Sequence, residues 1–118
     1  MMDIIFYREF DHIPVVNFID KLSSGEKAEI IRYFDLLEEF GLGLGMPYIK
    51  KISQEYDLWQ IRVPYGISNM YFFFFPFNTR ELVFTHGIKE TPHMDFVEEL
   101  KTALKRLVYF RKKEGALK

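Results

Sequence analysis

Arg62 is the residue whose type and placement offer the most chemistry. It lies in Leu58-Trp59-Gln60-Ile61-Arg62-Val63, where a period of two puts Trp59, Ile61 and Val63 on one face and Leu58, Gln60 and Arg62 on the other. A guanidinium held on a strand offers a planar fork to a phosphate and keeps its charge near neutral pH. The alternative is a solvent-facing arginine paired with a carboxylate. Lys50 and Lys51 follow a glycine-rich stretch, as phosphate contacts or as a solvated loop pair; in an extended segment only one of them shares a face with Arg62. Lys89 sits in the loop after the last strand. His86, at that strand's end, and His93 titrate near pH 7 and suit acid–base work, although a lone histidine is more often held structurally. Tyr71 can stack on a nucleic-acid base or donate a hydrogen bond, or belong to the core with the aromatic run it opens. Lys105, Arg106, Arg111 and Lys112 form a basic stretch that is either a solvated helix end or a grip on backbone phosphates. Neither the three histidines nor the carboxylates have metal-ligand spacing, and there is no cysteine. No metal, cofactor, disulfide or thiolate nucleophile is expected.

The elements that must position these groups read as follows. Met2 to Tyr7 is a short β-branched and aromatic strand. Pro14 suits the first turn of a helix of about ten residues that carries Val15, Phe18, Ile19 and Leu22 at helical spacing. Ser23 and Glu26 have capping-box spacing, and a second helix follows with Ile30, Tyr33, Phe34, Leu37 and Phe40 as its apolar stripe. Gly41, Gly43 and Gly45 end it, so the two helices make an αα-hairpin. Leu58 to Val63 is the next strand, closed by Pro64-Tyr65-Gly66. Met70 to Phe75 is continuously apolar, which predicts burial on both faces and a central place. Asn78-Thr79 makes a turn, Leu82 to His86 is the last strand, and Gly87 stops it. Thr91-Pro92 reads as the cap and first residue of a final helix with Phe96, Leu100, Ala103, Leu104 and Leu107 on one face. The order β-α-α-β-β-β-α predicts an α+β fold, an antiparallel sheet with an αα-hairpin and a C-terminal helix.

At 118 residues, without internal repeats or linkers, residues 1–118 are expected to form a single domain. Hydrophobic residues at 48% against charged residues at 28% exclude a disordered chain. No apolar run approaches the roughly 20 residues that span a bilayer, and the acidic start lacks a signal peptide's positive region. A cytoplasmic protein without a membrane partner is expected. The net charge of −1 conceals an asymmetry: residues 1–40 carry 4 Lys/Arg against 9 Asp/Glu, and the last 18 residues carry 7 against 1. A nucleic-acid surface would therefore be local.

The order of elements, with PVVNFIDKL, FDLLEEFGLGLGMPYIKKI, YDLWQIRV and HGIKETP, resembles the RelE/ParE toxin superfamily, most closely its phage-derived HigB-like branch, from about Ile4 to Arg111. The resemblance implies a toxin of a type II toxin–antitoxin system, a metal-independent endoribonuclease that cuts mRNA on the ribosome by 2′-hydroxyl attack on the adjacent phosphate. Its implied partners are the ribosome, mRNA and a HigA-like helix-turn-helix antitoxin. Carried onto this chain, Arg62, Lys89 and His86 would be catalytic, and Lys50, Lys51, Tyr71, His93, Lys105, Arg106, Arg111 and Lys112 would bind RNA.

Two departures stand against that pattern. Lys89-Glu90-Thr91 replaces the usual Lys-Lys-Thr, and Ser68-Asn69-Met70-Tyr71 lacks the arginine that commonly precedes the aromatic run. Two other functions remain open on the same fold: a gyrase-poisoning ParE-like inhibitor without nuclease chemistry, and an inactive interaction module.

Overall fold

The computed structural model describes residues 1–116. Asp3–Phe6 forms β1, and the chain then enters the hairpin of α1 (Pro14–Asp20) and α2 (Ser24–Phe40). Pro14 occupies the first turn of α1, where its missing N–H costs nothing. The capping box is present: Glu26 N–H donates to Ser23 Oγ at 3.2 Å, and Ser23 N–H donates to Glu26 Oε1 at 3.0 Å. Gly41, at φ 57°, takes the left-handed conformation that closes α2. β2 (Ile49–Ser53), β3 (Leu58–Tyr65), β4 (Ser68–Pro76), β5 (Glu81–Lys89) and α3 (Phe96–Ala116) follow.

The fold is α+β, with one five-stranded sheet in the order β1-β5-β4-β3-β2. It differs from the expected antiparallel sheet in two ways. β1 pairs parallel with β5, from Asp3 opposite Glu81 to Phe6 opposite Phe84, so the sheet is mixed. The helical hairpin carries the chain away from β1, and the three tight reversals among β2 to β5 bring β5 back in the same direction. The second difference is β2 itself, where a lysine-bearing loop was expected. Ile49 is buried beside the exposed Lys50, and Lys50 opposes Gln60 across an antiparallel pair. A short edge strand bearing lysines is protected against further pairing.

Smaller corrections concern the ends of elements. α1 has 7 residues rather than about ten. β5 runs past Gly87 to Lys89. α3 starts at Phe96 and not at Thr91-Pro92, because the Asp95 carboxylate caps it, accepting from the N–H groups of Val97 and Glu98 at 3.1 and 3.2 Å. Gly87 is needed for another reason than stopping a strand: a Cβ there would meet Phe72 at 2.5 Å and Phe18 at 2.8 Å. This is where α1 comes down onto the sheet.

The helical hairpin covers one face of the sheet and α3 the other. β4 holds the middle as its unbroken apolar run requires, sending Phe72 and Phe74 under the hairpin and Phe73 and Phe75 under α3. All four are fully buried, each contributing about 2–3 kcal/mol of transfer free energy. No helix among the described residues is long and apolar enough to cross a membrane.

Candidate functional site

Strand alternation decides which cations gather. Arg62 faces the α3 side of the sheet but lies beyond the helix's cover, and Tyr71 stands opposite it on β4. Lys50, opposite Gln60 on β2, shares that face. Lys50, Gln60, Arg62 and Tyr71 line one shallow cleft of about 240 Å³, walled by Met46, Pro47 and Tyr48. The Arg62 backbone is pinned by its N–H donating to the Tyr48 carbonyl at 3.0 Å, while its exposed guanidinium has no hydrogen-bond or ion-pair partner among the described residues. The Lys50 ammonium is likewise exposed and unpaired among them. These two free cations can share the oxygens of one phosphate.

Two of the lining residues, Tyr71 and Gln60, add polar groups of another kind. The Tyr71 ring stands edge-on to Phe96 at 6.1 Å. Burial, reinforced by the Glu90 carboxylate, raises the Tyr71 pKa above its ordinary 10, against a smaller opposing pull from Arg62. The phenol therefore keeps its proton further into the alkaline range than a free tyrosine. Glu90 is oriented by Asn69, whose Nδ2 donates to Glu90 Oε2 at 2.8 Å. Gln60 Oε1 is buried without a hydrogen-bond partner, an acceptor that costs free energy until something donates to it.

The remaining nominated residues are placed elsewhere. Lys51 turns to the hairpin face, pairs with Asp57 at 3.2 Å and lies 5.5 Å from the centre of the Trp59 ring. Lys89, one residue before Glu90, is also on the hairpin face, with its Nζ 2.6 Å from Glu26 Oε2. That ammonium, with the N–H and hydroxyl of Ser23, holds the Glu26 carboxyl down to about 2. His93 is exposed in the segment before α3. Arg106 donates to Glu9 and to the Thr85 carbonyl, both at 3.4 Å, and Arg111 donates to the Tyr56 carbonyl at 3.0 Å while lying over Phe75. Lys105 and Lys112 are exposed on α3.

His86 is buried under α3, stacked on Phe73 with centroids 4.9 Å apart. Its Nε2 lies 2.8 Å from Glu99 Oε2 and its Nδ1 3.1 Å from Thr85 Oγ1. Burial lowers its pKa below 6.5, outweighing Glu99, which acts to raise it. The unfolded chain therefore takes up a proton before the folded one does. Stability should be complete above about pH 7, fall as the pH drops through 6.5, and level off below the depressed folded value. Urea-denaturation midpoints between about pH 7.5 and 5.5 should show this slope in the wild type and a flatter one in His86→Gln. A wild-type midpoint that does not move would show that burial does not disfavour the charged imidazole.

Gln60 was placed on the Arg62 face by period alone, but its orphaned oxygen was not foreseeable. Asn69 and Glu90 were not nominated as site residues; their meeting depends on a β4–β5 register that no local signal encodes. Among the described residues, no group of three or more His, Asp or Glu could hold a metal ion.

The mixed sheet between a helical hairpin and a single helix, with free cations beside the helix's start, is a small α+β domain with an anion-ready cleft. Residues 17–108 match the family described as phage-derived protein, Gp49-like, and the chain belongs to this toxin-like family. No curated protein matches the chain. The matched segment includes Lys50, Gln60, Arg62, Tyr71 and Glu90.

Proposed function

We propose that the chain is the toxin of a type II toxin–antitoxin pair, a HigB-like member of the RelE/ParE superfamily that cleaves mRNA on the ribosome. The observation that carries this reading is the unpaired Arg62 guanidinium on a rigid strand, sharing its cleft with Lys50 and a protonated Tyr71. Arg62 and Lys50 hold the scissile phosphate and offset the charge that grows on it. Glu90 takes the proton from the 2′-hydroxyl, whose oxygen bonds to phosphorus as the bond to the 5′-oxygen breaks. Tyr71 donates its proton to that leaving oxygen and regains one from solvent. The products are a 2′,3′-cyclic phosphate and a 5′-hydroxyl. The ribosome aligns the strand, an entropic contribution this small open cleft does not supply by itself. A helix-turn-helix antitoxin encoded beside it is the proposed neutralising partner.

The test is induction in cells that lack the antitoxin, with sequencing of RNA ends. Translation arrest with mRNA cut inside reading frames supports the proposal. Glu90→Gln, which keeps the hydrogen-bonding shape beside Asn69, should lower cleavage about a hundredfold while the protein stays folded. DNA damage with intact mRNA would instead identify a gyrase poison, and unimpaired growth with a folded product an inactive interaction module.

A further inference from the structure

On leaving β1 the chain turns beneath the second half of α3 and encloses a groove of about 480 Å³. α3 packs over β4 and β5, so this groove lies on the β1 side of the helix and the Arg62 cleft on the β2–β3 side. Its apolar lining is aromatic throughout: Tyr7, Phe10 and Tyr109. Phe10 is 96% exposed, and its φ of 55° puts a side-chain-bearing residue in the left-handed region. That conformation costs on the order of 1 kcal/mol, and an exposed ring recovers none of it through packing.

The rim is basic. Glu9 is already engaged, accepting from the Tyr7 hydroxyl at 3.1 Å and from Arg106 Nε at 3.4 Å. Arg8, Lys105 and Lys113 also line the groove and have no hydrogen-bond or ion-pair partner among the described residues. A concave aromatic lining beneath three unengaged cations calls for a ligand with flat faces and regularly spaced negative charge.

We propose that this groove is a second RNA site, taking one unpaired nucleotide of a single strand. The base packs against Phe10 and Tyr109, and the phosphates on either side of it meet Arg8, Lys105 and Lys113. An acidic amphipathic peptide would satisfy the cations too, but a docked helix needs a hydrophobic groove for several anchors at i, i+3 or i+4 and i+7, and the apolar lining here is three rings, one of them the buried Tyr7. Bases stack on aromatic rings whatever their sequence. Most of the lining residues fall outside the matched 17–108 segment. The site goes beyond the cleavage reading, since binding here needs neither a 2′-hydroxyl nor Arg62.

The experiment measures binding of a fluorescein-labelled single-stranded oligoribonucleotide, 2′-O-methylated so that it cannot be cut, to the full chain by fluorescence anisotropy. Phe10→Ala/Tyr109→Ala should weaken binding about tenfold or more, and Phe10→Tyr should retain it. Lys105→Ala/Lys113→Ala should make the affinity less salt-dependent, by about one to two in the log–log slope. The loss in the aromatic double variant should persist in an Arg62→Ala background, which separates this site from the cleavage cleft. Unchanged affinity in a folded Phe10→Ala/Tyr109→Ala protein overturns the proposal, as does disappearance of its effect in the Arg62→Ala background. Indifference to the oligonucleotide, with an acidic leucine-rich peptide bound instead and lost in the same variant, also overturns it and makes the groove a protein-docking surface.

Discussion

Arg62→Ala should abolish growth arrest and lower mRNA cleavage about a thousandfold while leaving the fold intact. The magnitude follows from removing one preorganised cationic donor from a developing phosphorane. The intact fold follows from the structure: Arg62 is exposed, its side chain bonds to no described residue, and its backbone contact with Tyr48 is kept by any residue but proline. Surface changes of this kind shift stability within about 0.5 kcal/mol. Arg62→Lys should recover little, because an ammonium is a point charge and cannot offer the planar fork. The measurement pairs cleavage rate with a urea-unfolding curve for each variant. Full activity in a folded Arg62→Ala protein would remove the cleft from consideration, wherever else cleavage proved to occur.

The largest effect on stability is expected at Phe74. Its ring is fully buried in the middle of the central strand, stacked on Phe84 at 5.1 Å and on Trp59 at 6.5 Å, and packed toward the hairpin. Truncation to alanine opens a cavity between sheet and helices that neighbouring rings cannot fill without leaving their rotamers. The expected cost is about 3–5 kcal/mol, a large part of the roughly 5–15 kcal/mol that holds such a domain folded. Thermal unfolding should fall by more than about 10 °C. Phe10→Ala is the contrast, because an exposed ring has almost no burial to lose. Equal effects at the two positions would mean that the core is not where the structure puts it.

Much of the fold could be read from local signals. Phe72 to Phe75 announce a strand buried on both faces because nothing polar interrupts them. Ser23 with Glu26 marks a helix start through a capping box that is present in the structure. Arg62 reaches the face opposite Ile61 and Val63 by period alone. What escaped was non-local. The parallel pairing of β1 with β5 joins residues nearly eighty positions apart, from Asp3 to Glu81. β2 is short and charged, so it carries no strand signal of its own.

Lys89 illustrates how sharply register matters. With β5 running on past Gly87 it projects to the hairpin face and meets Glu26, and one residue further on Glu90 bonds to Asn69 and acts on Tyr71 at the edge of the cleft. A slip of a single residue would turn Lys89 to the Tyr71 face and Glu90 away from it. His86 was legible as a titratable group at a strand's end, but its burial depends on α3 folding back to bring Glu99 against it. Lys50 and Lys51 could be separated only once β2 was known to be extended, since strand alternation then sends them to opposite faces.

The central proposal is that RNA is cut in the Arg62 cleft by in-line attack of the neighbouring 2′-hydroxyl. Purified chain added to ribosomes programmed with a defined mRNA tests this most directly, with the cut ends identified chemically. The expected products are fragments ending in a 2′,3′-cyclic phosphate with 5′-hydroxyl partners, with no cutting when the scissile position carries a 2′-deoxyribose and none with Arg62→Ala. Cleavage that persists at the 2′-deoxy position, or fragments carrying 5′-phosphates, would contradict it.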